Sequence, residues 1–169
     1  MIGLDRPGFA EPVAEAQQCF RAVLDAMARP GTIHEIQFPD PPPPLCPAAA
    51  AVLLTLVDHE TPLALDPFAK AARGWIAFHT GASFAAPDKA AFVLVHELPR
   101  LDTLCQGTDE APEESATMIL QLPRLGAGAR FRLSGPGLRA SASFAADGLP
   151  ADFAARWGAN RAGFPLGVD

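Results

Sequence analysis

At 169 residues and 17.7 kDa the chain has the size of one domain and can bury most of the surface its unfolded form exposes. Hydrophobic residues make up 49% and charged residues 19%, which excludes global disorder, while Cys19, Cys46 and Cys105 are too few and too scattered for a disulfide framework or a zinc knuckle. The formal charge of −6 argues against a phosphate-backbone footprint, so no nucleic-acid partner is expected.

The first residues lack a basic segment followed by an apolar one, and the longest strongly apolar stretch, residues 48–57, is far shorter than the ~20 residues of a membrane span. A cytoplasmic protein without membrane attachment is the expectation. Along residues 13–29, Val13, Ala16, Phe20, Val23, Leu24 and Met27 recur at steps of three and four between Pro12 and Pro30-Gly31, which predicts a helix. Residues 32–38 alternate imperfectly and predict a short strand, followed by a stiff proline-rich loop through Pro44. Residues 48–58 have the alanine and leucine content of a buried helix, stopped by Thr61-Pro62, and residues 63–65 predict a short strand.

In the second half, residues 75–79, 91–95, 117–122, 130–133 and 138–144 are short branched or alternating runs and predict strands. Ser134-Gly135-Pro136-Gly137 makes the last two an antiparallel hairpin. Residues 151–159 predict a helix closed by Asn160 and Gly163. The resulting expectation is an α/β domain covering residues 1–169, with a mixed sheet flanked by helices.

Residues able to carry chemistry are sparse. Asp58-His59-Glu60 is the local candidate for a metal, but consecutive side chains diverge, and His34, His79 and His96 are distant in sequence; a helix end bonded to its own backbone is the plainer reading. Gly81-Ala82-Ser83-Phe84-Ala85 half-resembles a nucleophile elbow with Asp102 downstream, yet Pro87 and Asp88 leave no room for the following helix, and no suitable histidine follows. The glycines of Gly126-Ala127-Gly128 and Gly135-Pro136-Gly137 precede strands and read as turns, since phosphate loops precede helices. Lys70, expected on a surface helix, and Lys89, expected in a loop, are the only lysines and poor anchors for pyridoxal phosphate. Arg130 and Arg132 share one face of a strand, with Arg139 across the hairpin, and form either a polyanion-binding or partner-binding face or a solvated edge. Glu113-Glu114 reads as a helix start. No catalytic, cofactor-binding or metal-binding residue is assigned from these patterns.

Phe20-Arg21, Ala26-Met27, Pro30-Gly31, Leu53-Leu54-Thr55-Leu56, Asp58, Thr61-Pro62 and Phe78-His79-Thr80 appear in an order that is continued later in the chain. It runs on through Gly107-Thr108, Pro112-Glu113, Ser115-Ala116-Thr117, Gly135-Pro136-Gly137 and Phe164-Pro165-Leu166-Gly167-Val168-Asp169. This ordered set resembles the PhnH family, the H subunit of the carbon–phosphorus lyase core complex of bacterial phosphonate breakdown. The resemblance implies a reduced pyridoxal-phosphate-transferase-like fold without the cofactor site. It also implies a noncatalytic homodimer working with the G, I and J subunits, in the step that transfers the ribose triphosphate of ATP to an alkylphosphonate with release of adenine. An independent enzyme or a phosphonate-binding dimer is the alternative. Members of the family usually continue past the Phe-Pro-Leu-Gly-Val-Asp segment, so Val168-Asp169 is expected to begin a strand.

Overall fold

The computed structural model describes residues 5–36 and 39–169. Its first helix, α1 (Pro12–Ala28), starts with proline at the position whose N–H has no helical acceptor, and Glu15 accepts a hydrogen bond from the Ala10 N–H at 2.9 Å. Cys19 is its one buried residue, so the small side chains face inward. The larger Val13, Phe20, Leu24 and Met27 form a row on the outside and are 49–73% exposed. The following α2 (Pro47–Leu56) is capped by Cys46, whose Sγ accepts from the Ala49 N–H, and its buried Ala49, Ala50 and Ala51 admit close approach of neighbouring elements.

Three short strands, β1 (Leu63–Leu65), β2 (Phe92–Val95) and β3 (Thr117–Leu120), form a parallel sheet in that order. Their near-continuous apolar sequences suit a sheet covered on both faces. Leu63 and Leu94 point into one cluster with Leu53, Trp75 and Ile76; Ala64, Val93 and Val95 point into another with Leu98, Leu101 and Val168. The connection from β1 to β2 contains α3 (Arg73–Thr80), which ends at Gly81 with φ of +71°, a left-handed conformation glycine adopts without strain. Asp169 lies beside the outer edge of β3: its N–H donates to Ala116 O and its carbonyl accepts from the Met118 N–H, the pattern of a parallel ladder. Asn160 steadies the approach, donating to Val168 O at 2.8 Å and accepting from the Val168 N–H at 2.9 Å.

A second, separate sheet is the antiparallel pair β4 (Arg124–Leu133) and β5 (Ala142–Asp147). Phe131 on this hairpin meets Phe153 of α4 (Phe153–Ala162) edge to face, with ring centroids 5.1 Å apart. No helix among the described residues is long and apolar enough to cross a membrane.

The α/β class, both early helices, the last helix and the hairpin with its glycine-proline turn agree with expectation. Four readings need correction. The single mixed sheet is two sheets, because β4 pairs only with β5. The run 75–79 is helix α3, not a strand: its apolar residues Trp75 and Ile76 are buried together while Phe78 points out, which a strand's alternation would not give. Residues 32–36 form no strand, and Gln37 and Phe38 lie outside the described residues. Gly126-Ala127-Gly128 is not a turn before a strand but an irregularity inside β4, where the register jumps between Leu125 and Ala129. Gly128 has φ of +88°, and a Cβ there would lie 2.6 Å from Ala146 O, so a bulge with glycine is the form the chain takes.

Candidate functional site

Parallel strands in register end together, and ligands of open α/β sheets gather at such carboxyl edges. Here Asp66 follows β1, His96 follows β2 and Gln121 follows β3. The backbone ladder continues through them, with the Asp66 N–H donating to Leu94 O and the Gln121 N–H donating to Val95 O. Three polar side chains separated by 30 and 25 residues are thereby brought into one row.

The row is fully hydrogen-bonded. Asp66 Oδ1 accepts from the Ala69 N–H at 2.8 Å, where a 3-10 turn (Ala69–Ala72) begins, and Oδ2 accepts from the His96 N–H at 2.8 Å. His96 Nδ1 lies 3.3 Å from Asp66 Oδ2, and its Nε2 lies 2.8 Å from Gln121 Nε2. Gln121 Oε1 accepts from the Cys46 N–H at 2.9 Å, and its Nε2 donates to Pro44 O at 2.9 Å. Those two backbone groups fix which end of the amide is oxygen, because an N–H only donates and a carbonyl only accepts. The amide nitrogen must then donate to His96 Nε2, so the network assigns the ring proton to Nδ1, facing Asp66. The Phe68 ring closes the outer side, its centroid 3.9 Å from that of His96.

An Asp-His pair acts as a general base when Nε2 is free to take a proton from a nucleophile or water. In this chain the Nε2 lone pair is occupied by an amide, and the nearby Cys46 thiol caps α2. The arrangement holds rather than reacts: it ties all three strand ends to the turn that launches α2. Asp66 and Gln121 carry no signal in the sequence beyond being the first polar residue after an apolar run, and His96 stands out only as one isolated histidine.

The other sequence candidates are dispersed. Asp58 accepts from the N–H groups of Glu60 and Thr61 and from Thr61 Oγ1, a local turn of the kind expected at a helix end, and these contacts hold its carboxyl below the ordinary range. His59 is exposed; His79 contacts the Arg6 carbonyl at 3.1 Å beside Trp75 Nε1, which donates to the same oxygen; His34 lies 2.9 Å from Asp25. Among the described residues no three His, Cys, Asp or Glu side chains converge as a metal site. Ser83 follows a helix rather than a strand and is exposed, and Asp102 is ion-paired with Arg100 at 2.7 Å. Lys70 and Lys89 are exposed on separate 3-10 turns, and Glu113 and Glu114 are exposed on a third (Pro112–Glu114). Burial pushes the Cys19 thiol up, partly countered by a hydrogen bond with Thr55.

Arg130 and Arg132 do share the outer face of β4, opposite Ala145 and Ser143 of β5, while Arg139 sits in the turn rather than on β5. Among the described residues none of these three arginines has a carboxylate within ion-pairing distance.

Comparison with known proteins places these features in a family. Residues 7–169 match the profile described as bacterial phosphonate metabolism protein (PhnH). The chain is 41% identical to the alpha-D-ribose 1-methylphosphonate 5-triphosphate synthase subunit PhnH of Rhizobium meliloti, over 95% of this chain and 84% of that one. It is 31% identical to HtxG of Stutzerimonas stutzeri, named for a C-P lyase subunit, over 90% of this chain and 75% of the relative. On this evidence of sequence and extent, the chain belongs to the PhnH family of bacterial phosphonate metabolism proteins.

Proposed function

We propose that this chain is a noncatalytic, cytoplasmic assembly subunit of the carbon–phosphorus lyase core complex, built as one domain over residues 1–169. In this reading it forms a homodimer and binds the G, I and J subunits. It thereby supports transfer of the ribose triphosphate of ATP to an alkylphosphonate with release of adenine. The names of both relatives support membership of such a complex. The parallel sheet and the exposed, uncradled Lys70 and Lys89 support its being a reduced relative of the pyridoxal-phosphate transferases.

The observation that carries the assembly role is the outer face of α1. Val13, Phe20, Leu24 and Met27 follow one another at helical spacing and remain 73%, 49%, 57% and 64% exposed, an apolar row of the kind that marks a protein interface. Beside it a groove of about 360 Å³ is lined by Ala16, Gln17, Arg21 and Thr55, where a partner side chain can seat.

Co-expression of the tagged chain with its cognate G, I and J subunits, followed by native mass spectrometry, tests the reading. A stoichiometric assembly is expected, and Leu24→Arg should leave the isolated chain folded by circular dichroism while excluding it from the complex. Assembly of G, I and J without this chain would overturn the proposal.

A further inference from the structure

The β4–β5 hairpin is a sheet that stops early. At ten residues β4 is the longest strand among the described residues, yet it pairs only with β5. Among the described residues no hydrogen bond from outside the hairpin reaches the backbone of either strand. Along the outer edge of β4, alternate N–H and C=O groups are therefore open to another strand. The edge of Phe131 against Phe153 of α4 supports one face of the ribbon, but neither edge has such support.

From Ala129 to Leu133 the pairing is regular, and the side chains of β4 sort by charge. Arg130 and Arg132 lie on the outer face, exposed and, among the described residues, without a carboxylate in ion-pairing distance. Phe131 and Leu133 lie on the other face and are only half-buried; Phe131 leads through Phe153 to the stacked Trp157, which is 40% exposed. Asp147, the one carboxylate of the hairpin, lies at the end away from the turn, 3.8 Å from Arg124, and leaves Arg130 and Arg132 unneutralised. Charged side chains on an edge strand ordinarily prevent strand addition. Here they do so selectively: a second copy pairing antiparallel through β4 would set guanidinium groups opposite one another, which is destabilising, whereas a strand of opposite charge is attracted.

We propose that the outer edge of β4 docks an extended acidic segment of another protein, which adds as a third strand of this sheet. The period of two dictates its chemistry: carboxylates at alternate positions face Arg130 and Arg132, and apolar side chains between them lie beside Phe131 and Leu133. Backbone hydrogen bonds hold such a segment, and the alternation selects it. The surface consists of other residues than the α1 row that carries the assembly reading, so it stands or falls independently of that row.

Fluorescence anisotropy with the isolated full-length chain in 0.1 M NaCl tests the proposal, the probe being a labelled peptide in which three glutamates alternate with valines. Saturable binding is expected, with the counterpart carrying lysine in place of glutamate at least tenfold weaker. Arg130→Gln and Arg132→Gln should each weaken binding about threefold, the loss of one cross-strand ion pair, while Arg139→Gln, in the turn, should leave it unchanged. The double variant Arg130→Glu with Arg132→Glu should reverse the preference towards the lysine peptide. All three positions are exposed, and unchanged circular dichroism would confirm that the variants fold. Peptides N-methylated on one or the other alternate set of amides separate strand addition from charge contact alone: the set that faces β4 should abolish binding and the other should spare it. Absence of saturable binding, equal binding of the lysine peptide, or an equal response to both methylated sets would overturn the proposal. So would a dimer of the isolated chain that the double variant dissociates, because a second copy would then occupy this edge.

Discussion

The parallel sheet, with strands of three or four residues, and the antiparallel hairpin, with strands of ten and six, stand at opposite ends of the burial scale. Around β1, β2 and β3 the side chains of Leu53, Leu63, Trp75, Ile76 and Leu94 are fully buried, on a sheet covered on both faces. In the hairpin and α4, Ala146 alone is buried, and the packing is a row of half-exposed aromatics, Phe131, Phe153 and Trp157. The first region supplies the apolar burial that stabilises the fold; the second presents surface. Truncating one tryptophan in each tests this directly. Trp75→Ala removes a side chain that is 0% exposed and whose Nε1 donates to Arg6 O, and should cost about 3–5 kcal/mol in urea unfolding. Trp157→Ala, at a position 40% exposed, should cost about 1 kcal/mol. Equal losses would mean that the hairpin half shares the core.

A smaller effect is expected at the carboxyl edge, where stability depends on polar satisfaction rather than on area. Gln121→Leu keeps the volume but leaves the Cys46 N–H, the Pro44 carbonyl and His96 Nε2 without their partner. A loss of about 2 kcal/mol follows, less if water replaces the amide. Hydrogen exchange distinguishes this from general destabilisation: the Cys46 amide should lose protection more than those of β2, and a uniform loss would show that the network contributes nothing local.

The contrast also explains what the sequence could tell. Leu-Ala-Leu, Phe-Val-Leu-Val and Thr-Met-Ile-Leu read as strands because burial on both faces demands unbroken apolar runs. The same rule misleads at residues 75–79, where Trp75, Ile76 and Phe78 have strand-like composition and only Gly81 hints at a helix end. In α1 both faces contain apolar residues. Which one turns inward is decided by tertiary context: small residues around Cys19 pack towards the alanine-rich α2, leaving Phe20 and Leu24 outside. Asp66, His96 and Gln121 were illegible for another reason, since their meeting is created by the register of three strands and no local pattern contains it. Arg130 and Arg132, by contrast, were legible as a shared face because a strand's period of two is local.

The smallest effects separate two kinds of carboxylate, one in the turn that feeds the parallel sheet and one at the periphery. Asp58 and Asp25 both have carboxyl groups held below the ordinary value of 3.8. For Asp58 the main cause is the Glu60 N–H, followed by the Thr61 hydroxyl, whereas for Asp25 it is the hydrogen bond from Arg29, assisted by the charges of Arg29 and His34. A carboxyl whose folded value is lowered contributes stability above its unfolded value and loses it as pH falls through the folded one, so both contributions should fade only below about pH 3.8. Salt tells them apart, because it screens exposed ion pairs but leaves short contacts to neutral donors largely intact. In a carboxyl-detected NMR titration, raising NaCl from 0.05 to 1 M (Debye lengths of roughly 14 and 3 Å) should return Asp25 towards 3.8 and leave Asp58 nearly unmoved. Asp58→Asn should blunt the acid dependence at any salt concentration. If Asp58 instead followed the salt as Asp25 does, its lowered value would come from surrounding charge, and the turn's backbone donors would not be what holds it.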